Sequence, residues 1–359
     1  MSAILITGAD GHLGRAVAED LLARTENRLI LFCRAADREE RARKVSILGS
    51  LAESPRCRIV FGNLSASDPF ARVRRGDVSH VVHAAAATDF GIDRDLAEQV
   101  NVEGTRRVLE FARRCPKLER FVSLSSLYVA GLRDGLVDEV FFDGSAEFAN
   151  HYEWSKWQAE EILRSEKDLP WRIVRVGTIL CDDESGRVSQ QNVIHNTLRL
   201  LYYGLLSVVP GNADTRVYLT TTRIAVGAIH RSLFEPGLTA ISHVTSPGDQ
   251  AVKLGDLLDR VYDAFMRDER FARHGILKPL FCDEESFETL ADSIDSFGGA
   301  MAQSLESIRP FAPQLFSDKD IRVSAASEPL DVNALIDATC EFLTATRWGR
   351  TAEESRLCA

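Results

Sequence analysis

Three absences narrow what this chain can be. It has no apolar run near the roughly 18 residues that cross a membrane; the nearest stretch, Leu198 to Pro210, is shorter and broken by Arg199 and Gly204. It has no excess of positive charge. With 43 Lys and Arg against 53 Asp and Glu the net charge is −10 and the pI about 5.4, which argues against a nucleic-acid binder acting through bulk electrostatics. It has no cysteine framework either. The seven cysteines (Cys33, Cys57, Cys115, Cys181, Cys282, Cys340 and Cys358) are odd in number and lack metal-ligand spacing. A reduced, cytoplasmic compartment and no metal site are expected. His80 and His83 do not alter this, because residues three apart on a strand point to opposite faces. With an apolar run opening the chain, no leader peptide is expected ahead of it.

What is present begins at that run. Ala3 to Thr7 is apolar without alternation, as in a strand buried on both faces of a parallel sheet. Gly8, Gly11 and Gly14 follow at once, and Leu13, Val17, Leu21 and Leu22 start a helical pattern. One glycine permits the tight turn, one lets backbone approach a pyrophosphate, and one lets helix pack on strand. The helix N-terminus offers N–H groups and a positive dipole end to the phosphates. Thr7, Gly8, Asp10, Gly11, His12, Leu13 and Gly14 are the expected cradle of a dinucleotide.

The alternation continues through the first half of the chain. Strands are expected at Arg28 to Cys33, Arg58 to Phe61, Ser79 to His83, Arg120 to Ser125 and Trp171 to Val176. Helices are expected at Arg38 to Leu51, Leu96 to Arg114 and Glu153 to Ser165. Repeated βα units imply an α/β fold, a Rossmann-type doubly wound parallel sheet. After Val176 the rhythm breaks, with helices at Asn192 to Tyr203, Thr222 to Phe234, Lys253 to Arg270, Ser286 to Ile308 and Asp331 to Ala345. A return strand is expected at Ala240 to Thr245, and the stretch from Trp348 to Ala359 is expected to fray. The division expected is 1–178 for the dinucleotide domain, with sheet-rejoining pieces near 216–245. Residues 179–359 then form a smaller, mostly helical substrate lobe.

The end of the second strand bears on cofactor choice. An NAD site places Asp or Glu there for the ribose hydroxyls. Here the text is Leu31-Phe-Cys-Arg34, and the Arg34 fork suits a 2′-phosphate, so NADP(H) is expected. Arg38, Arg41 and Arg43 read better as a solvated helix face paired with Glu39 and Glu40. Small Ala84, Ala85 and Ala86 end the fourth strand, where a ribose could lie against backbone, with ordinary packing a serious rival reading for Ala86 and Ala87.

Carbonyl reduction needs a proton donor at the oxygen. Tyr152-Glu-Trp-Ser-Lys156 puts a lysine one helical turn from a tyrosine, where it can lower the phenol pKa and bind the ribose. Ser125 and Ser126 end the fifth strand and can bind the same oxygen.

Together these motifs resemble the extended short-chain dehydrogenases/reductases. The Gly-x-x-Gly-x-x-Gly turn and Tyr152 to Glu160 carry that likeness. Val81 to Phe90, Asn101-Val-Glu-Gly-Thr105, Ser125 to Gly131 and Arg175-Val-Gly-Thr-Ile179 are similar to the thioester reductase and fatty acyl-CoA reductase branch, the male-sterility type. The resemblance is good over residues 1–235. It implies Ser126, Tyr152 and Lys156 as catalytic, with Tyr128 a decoy that lacks its lysine. It makes Asn101 either the organiser of a proton-relay water or a helix kink. Asn63 and Leu64 would lie beside the adenine, and Val176 and Lys156 complete the cofactor contacts. Val176 departs from the branch's proline, Ser126 from its threonine, and Arg223 reverses a usual Asp. The implied function is NADPH-dependent reduction of an acyl thioester carried by CoA or a carrier protein, or of an aldehyde or ketone. A sugar-nucleotide epimerase or dehydratase shares the same core, and a non-catalytic NADP-binding protein is the third possibility. The implied protein is a monomer or homodimer.

Overall fold

The computed structural model describes residues 2–295, 305–324 and 330–349. They fall into two compact units, one of Met1–Ala130, Glu139–Val176 and Ile224–Val244, the other of Gly131–Asp138, Gly177–Arg223 and Thr245–Ala359. The chain leaves the first unit for a short excursion at Gly131 and returns to it for a final helix and strand.

The first unit contains β1 (Ala3–Thr7), α1 (His12–Arg24), β2 (Arg28–Cys33), α2 (Arg38–Leu48), β3 (Cys57–Phe61) and β4 (Val78–His83). There follow a helical run over 94–113, α3, then β5 (Arg120–Ser126), α4 (His151–Arg164) and β6 (Trp171–Val176). Last come α5 (Thr222–Phe234), whose first two residues belong to the other unit, and β7 (Ile241–Val244). The strands form one sheet in the order β7-β6-β5-β4-β1-β2-β3, every pair parallel. The order reverses between β1 and β4, the topological switch point at which such sheets bind ligands. β1 and β4 are buried along their whole length, which is why neither alternates.

Elements differ from expectation where the backbone, not the side-chain pattern, decides. Gly49, at φ 51°, ends α2 at Leu48 and separates it from a short helix at Ser50–Glu53. Within α3, Glu98–Glu103 is π-helical, an insertion that turns Asn101 inward.

The second unit is built on an apolar cluster that includes Leu198, Leu201, Tyr202, Phe265, Phe271 and Trp348. Trp348 is 4% exposed and packs against Tyr202 and Phe265, so the chain is anchored there rather than frayed. The rest of the expected tail, from 350 on, and Cys358 with it, lie outside the described residues, as do 296–304 of the expected 286–308 helix. Strand pairs too short for a sequence signal complete the unit: Thr178–Cys181 with Leu219–Thr221, Val208–Pro210 with Leu280–Cys282, and Gly135–Val137 with Lys319–Ile321.

The contact between α1 and the turn before it is unusually tight. A Cβ on Gly14 would lie 2.1 Å from the Gly8 carbonyl oxygen, whereas one on Gly11 would meet only that oxygen, at 3.2 Å. Gly14→Ala should therefore cost about 2 kcal/mol in urea unfolding through overpacking. Gly11→Ala should cost less than about 0.5 kcal/mol. Equal costs would contradict the assignment of the two roles.

Candidate active site

The buried face of α4 is unlike that of an ordinary packing helix. Glu153, Ser155, Lys156 and Glu160 are buried there alongside Ala159, Ile162 and Leu163. Buried polar groups require partners, and β5 supplies most of them. Lys156 Nζ donates to the Leu124 carbonyl at 2.6 Å, and Ser125 Oγ donates to Glu160 Oε1 at 2.6 Å. The hydroxyls of Ser126 and Tyr152 share a hydrogen bond. Three consecutive β5 residues thus engage α4 positions four apart, which lie on one face of a helix. Asn150 caps α4, accepting from the Glu153 N–H at 3.0 Å, while Glu153 Oε2 accepts from Ala149 N–H at 3.0 Å.

Burial governs the titration of this group. It pushes the Tyr152 phenol up to about 12, against the lowering effect of the Ser126 bond. It brings the Lys156 ammonium down to about 8, with the Glu160 carboxylate opposing the change. The lowering of Tyr152 that the lysine spacing predicts is not among the effects acting on the phenol, Lys156 being held on the Leu124 carbonyl. Phe90 meets the Tyr152 ring edge-on at 5.5 Å and the Tyr128 ring at 6.0 Å. Tyr128 contributes its backbone N–H to Ser126 Oγ, at 3.2 Å.

Asn101 is 2% exposed and its amide is heavily engaged. Oδ1 accepts from Ala87 N–H at 2.8 Å, and Nδ2 donates to the Ala87 carbonyl at 3.0 Å and to Ser155 Oγ at 2.8 Å. Both amide protons are used, so Asn101 acts as a clip between α4 and the loop after β4.

The turn after β1 fits a dinucleotide. Gly8 has φ +67° and lies so close to Ala85 that a Cβ would sit 2.7 Å from its Cα. Gly11 leaves open the space that a side chain would fill, and no side chain caps α1. The Thr7 hydroxyl is turned into the fold. The residue is 0% exposed, and its hydroxyl lies 2.8 Å from His83 Nδ1 and accepts from Ala85 N–H at 3.3 Å. On the far side His83 Nε2 lies 3.0 Å from Thr105 Oγ1, which donates to the Asn101 carbonyl at 2.6 Å. Thr105 spends its proton on Asn101, so His83 must carry its own on Nε2 and accept from Thr7 at Nδ1. Burial pushes His83 down to about 3, in keeping with this neutral form.

Asp10 is held by Lys44, whose Nζ lies 2.8 Å away and also 3.4 Å from Glu40. Sequence reasoning missed Lys44, since nothing in local spacing ties it to the glycine turn. Arg34 is exposed just past β2. His12 and Leu13 form the first turn of α1, and Ala84 and Ala86 flank Ala85 after β4. Asn63 is exposed, with Oδ1 accepting from Ser65 N–H at 3.0 Å, and Leu64 is buried against Gly104. Val176 ends β6 in register with Ser126.

In the second unit, Ile194, Leu198, Leu201, Leu257, Val261 and Phe311 are among the residues lining an apolar cavity of about 110 Å³. Thr178, just past the end of β6, also lines it. Arg223 is answered by Glu184, with Nε 3.2 Å from Oε2. Among the described residues no helix is long and apolar enough to cross a membrane. None of them form a group of three His, Cys, Asp or Glu side chains able to hold a metal ion.

A parallel sheet with its glycine turn at the switch point and a Ser/Tyr/Lys constellation on α4 and β5 define an extended short-chain dehydrogenase/reductase, an oxidoreductase fold with a nicotinamide-binding domain. The chain belongs to the family described as male sterility protein, whose profile matches residues 6–229. It is 26% identical over 275 residues to isonitrile lipopeptide synthase of Streptomyces coeruleorubidus, covering 71% of this chain and 18% of that protein. It is 30% identical over 162 residues to the alcohol-forming fatty acyl-CoA reductase of Simmondsia chinensis, covering 38% of this chain and 33% of that one. The chain thus spans a third or less of the length of these relatives. Its fold is shared with the terminal R domain from the myxalamid PKS-NRPS pathway at a TM-score of 0.75 and 21% identity, covering 97% of this chain and 92% of that one.

His83 makes stability depend on pH. Its folded pKa lies below the ordinary value of about 6.5, so its contribution is complete above that value and is lost progressively on acidification towards 3. The slope from this one group is at most about 1.4 kcal/mol per pH unit. Urea unfolding between pH 7 and 4 should show that loss, and His83→Gln should flatten it. An unchanged slope would place the histidine in a solvated environment.

Proposed function

We propose that this chain is an NADPH-dependent reductase of acyl thioesters, with aldehydes and ketones as the simpler substrates of the same site. The Ser126–Tyr152–Lys156 constellation carries the reading. Bound NADPH supplies the hydride. Ser126 and Tyr152 direct two hydroxyls to one point, where they can hold the substrate oxygen and stabilise the negative charge that develops on it. Tyr152, protonated across the neutral range, gives up its proton to that oxygen. Elimination of the thiol from the resulting hemithioacetal leaves the aldehyde, and a second reduction would give the alcohol. Neither step calls for a cysteine nucleophile.

The thioester is favoured by the family and by relatives named as a fatty acyl-CoA reductase and a lipopeptide synthase. The apolar cavity in the second unit is suited to an aliphatic acyl chain. CoA or a carrier protein would deliver it. NADPH is favoured over NADH by Arg34 and by the absence of an acid at the end of β2.

The test is NADPH oxidation, followed by absorbance, against acyl-CoAs, aldehydes and ketones. Thioester turnover is expected, with kcat falling at least about 100-fold in Tyr152→Phe. Carbonyl turnover alone would remove the thioester assignment, and no turnover at all would overturn the reading. In a second measurement, Arg34→Ala should weaken NADPH binding about tenfold or more, the worth of a charge-assisted bond, and leave NADH binding unchanged. Equal weakening of both would remove Arg34 from the 2′-phosphate.

A further inference from the structure

Behind the reacting hydroxyls lies a buried ion pair with no task in the reaction just described. Glu160 is 2% exposed and Arg175, on β6, is 0% exposed. Arg175 donates from Nε to Glu160 Oε1 at 2.9 Å and from Nη2 to Oε2 at 2.6 Å. Arg175 also meets the Val140 carbonyl at 2.8 Å, His243 Nε2 at 3.2 Å and the face of Phe142 at 4.5 Å. Ser125, in register with Arg175 across β5 and β6, places its hydroxyl on the same Glu160 oxygen that receives Nε. A bidentate pair with its spare lone pairs satisfied is costly to assemble away from water, and apolar residues of like volume would often hold the fold as well.

We propose that the Glu160–Arg175 pair is a positioning device for the catalytic constellation: Glu160 fixes the Ser125–Ser126 end of β5 against α4 and sets a counter-charge one turn from Lys156. With Ser125 drawn to Glu160, Ser126 is the hydroxyl left to the site. The titratable groups around Lys156 include His83 of β4, Tyr152 and Glu160 of its own helix, and, behind Glu160, Arg175 of β6 with His243 of β7 beside it. His83 is neutral and Tyr152 stays protonated, so Glu160 is the charge that holds Lys156 protonated against burial, and Arg175 is the charge paired with Glu160. Loss of Glu160 leaves the Arg175 charge uncompensated. Loss of Arg175 does the reverse.

The proposal rests on the reductase reading only for turnover; cofactor affinity reads it independently. NADPH dissociation constants, by fluorescence, and kcat would be measured from pH 6 to 10 in the full chain. Glu160→Gln should move the alkaline limb of both profiles down by about one pH unit or more. Arg175→Met should move it up. Purely structural damage would not give opposite signs, and shifts in one direction, or none, would overturn the proposal. If the single variants fail to fold, Glu160→Met/Arg175→Met decides. It should unfold near the wild-type midpoint, with its limb within about one pH unit of the wild-type position, and should lose about tenfold in kcat with KM unchanged. Wild-type kcat in that variant would overturn the proposal. If the wild-type chain turns over no substrate, the reductase reading fails, while the affinity profiles still decide this one.

Discussion

The docking of α4 on the end of β5 is the contact on which the rest of the site depends. Leu124, Ser125 and Ser126 meet Lys156, Glu160 and Tyr152 through a carbonyl–ammonium bond, a hydroxyl–carboxylate bond and a hydroxyl–phenol bond. A helix that buries a lysine and a glutamate gives up solvation that an apolar face would never have had. It recovers that loss only where a strand end offers matched partners. The match fixes the rotation of α4, and with it the position of the phenol. Asn101 adds a further restraint, binding Ser155 on one side and the loop after β4 on the other.

The same loop couples the helix to the dinucleotide turn. From Asn101 a chain of bonds runs through Thr105 and His83 to Thr7, the last residue of β1, and on to Ala85, which closes against Gly8. Every member is buried or close-packed, and each proton has one acceptor. The glycine turn and α4 therefore stand on one scaffold of short bonds, of the kind that a precisely held site requires.

Much of this was legible in the sequence, for identifiable reasons. Central parallel strands are continuous apolar runs, so β1 and β2 have the limits that their composition indicates, and β6 keeps its expected limits although Arg172 and Arg175 interrupt its apolar residues. The tyrosine–lysine spacing of α4 reads directly from its 3.6-residue period. Other features depend on contacts between distant residues. Thr7 reads as a ligand contact but is spent on His83, and Asp10 is taken by Lys44. Trp348 reads as the head of a frayed tail because its partners, Tyr202 and Phe265, are far back in the chain. Three-residue strands such as Gly135–Val137 and Val208–Pro210 carry too few side chains for a pattern. Glu160 was visible as part of a motif, but its partner Arg175 becomes evident only once β5 and β6 lie side by side.

The most direct test of the account is a crystal structure of the chain with NADP bound. The pyrophosphate should lie on Gly8 to Gly14, the 2′-phosphate should meet Arg34, and the nicotinamide should lie beside Tyr152. Lys156 should have left the Leu124 carbonyl for the ribose. A dinucleotide bound elsewhere, or one on the turn with its nicotinamide remote from Tyr152 and Lys156 unmoved, would contradict it.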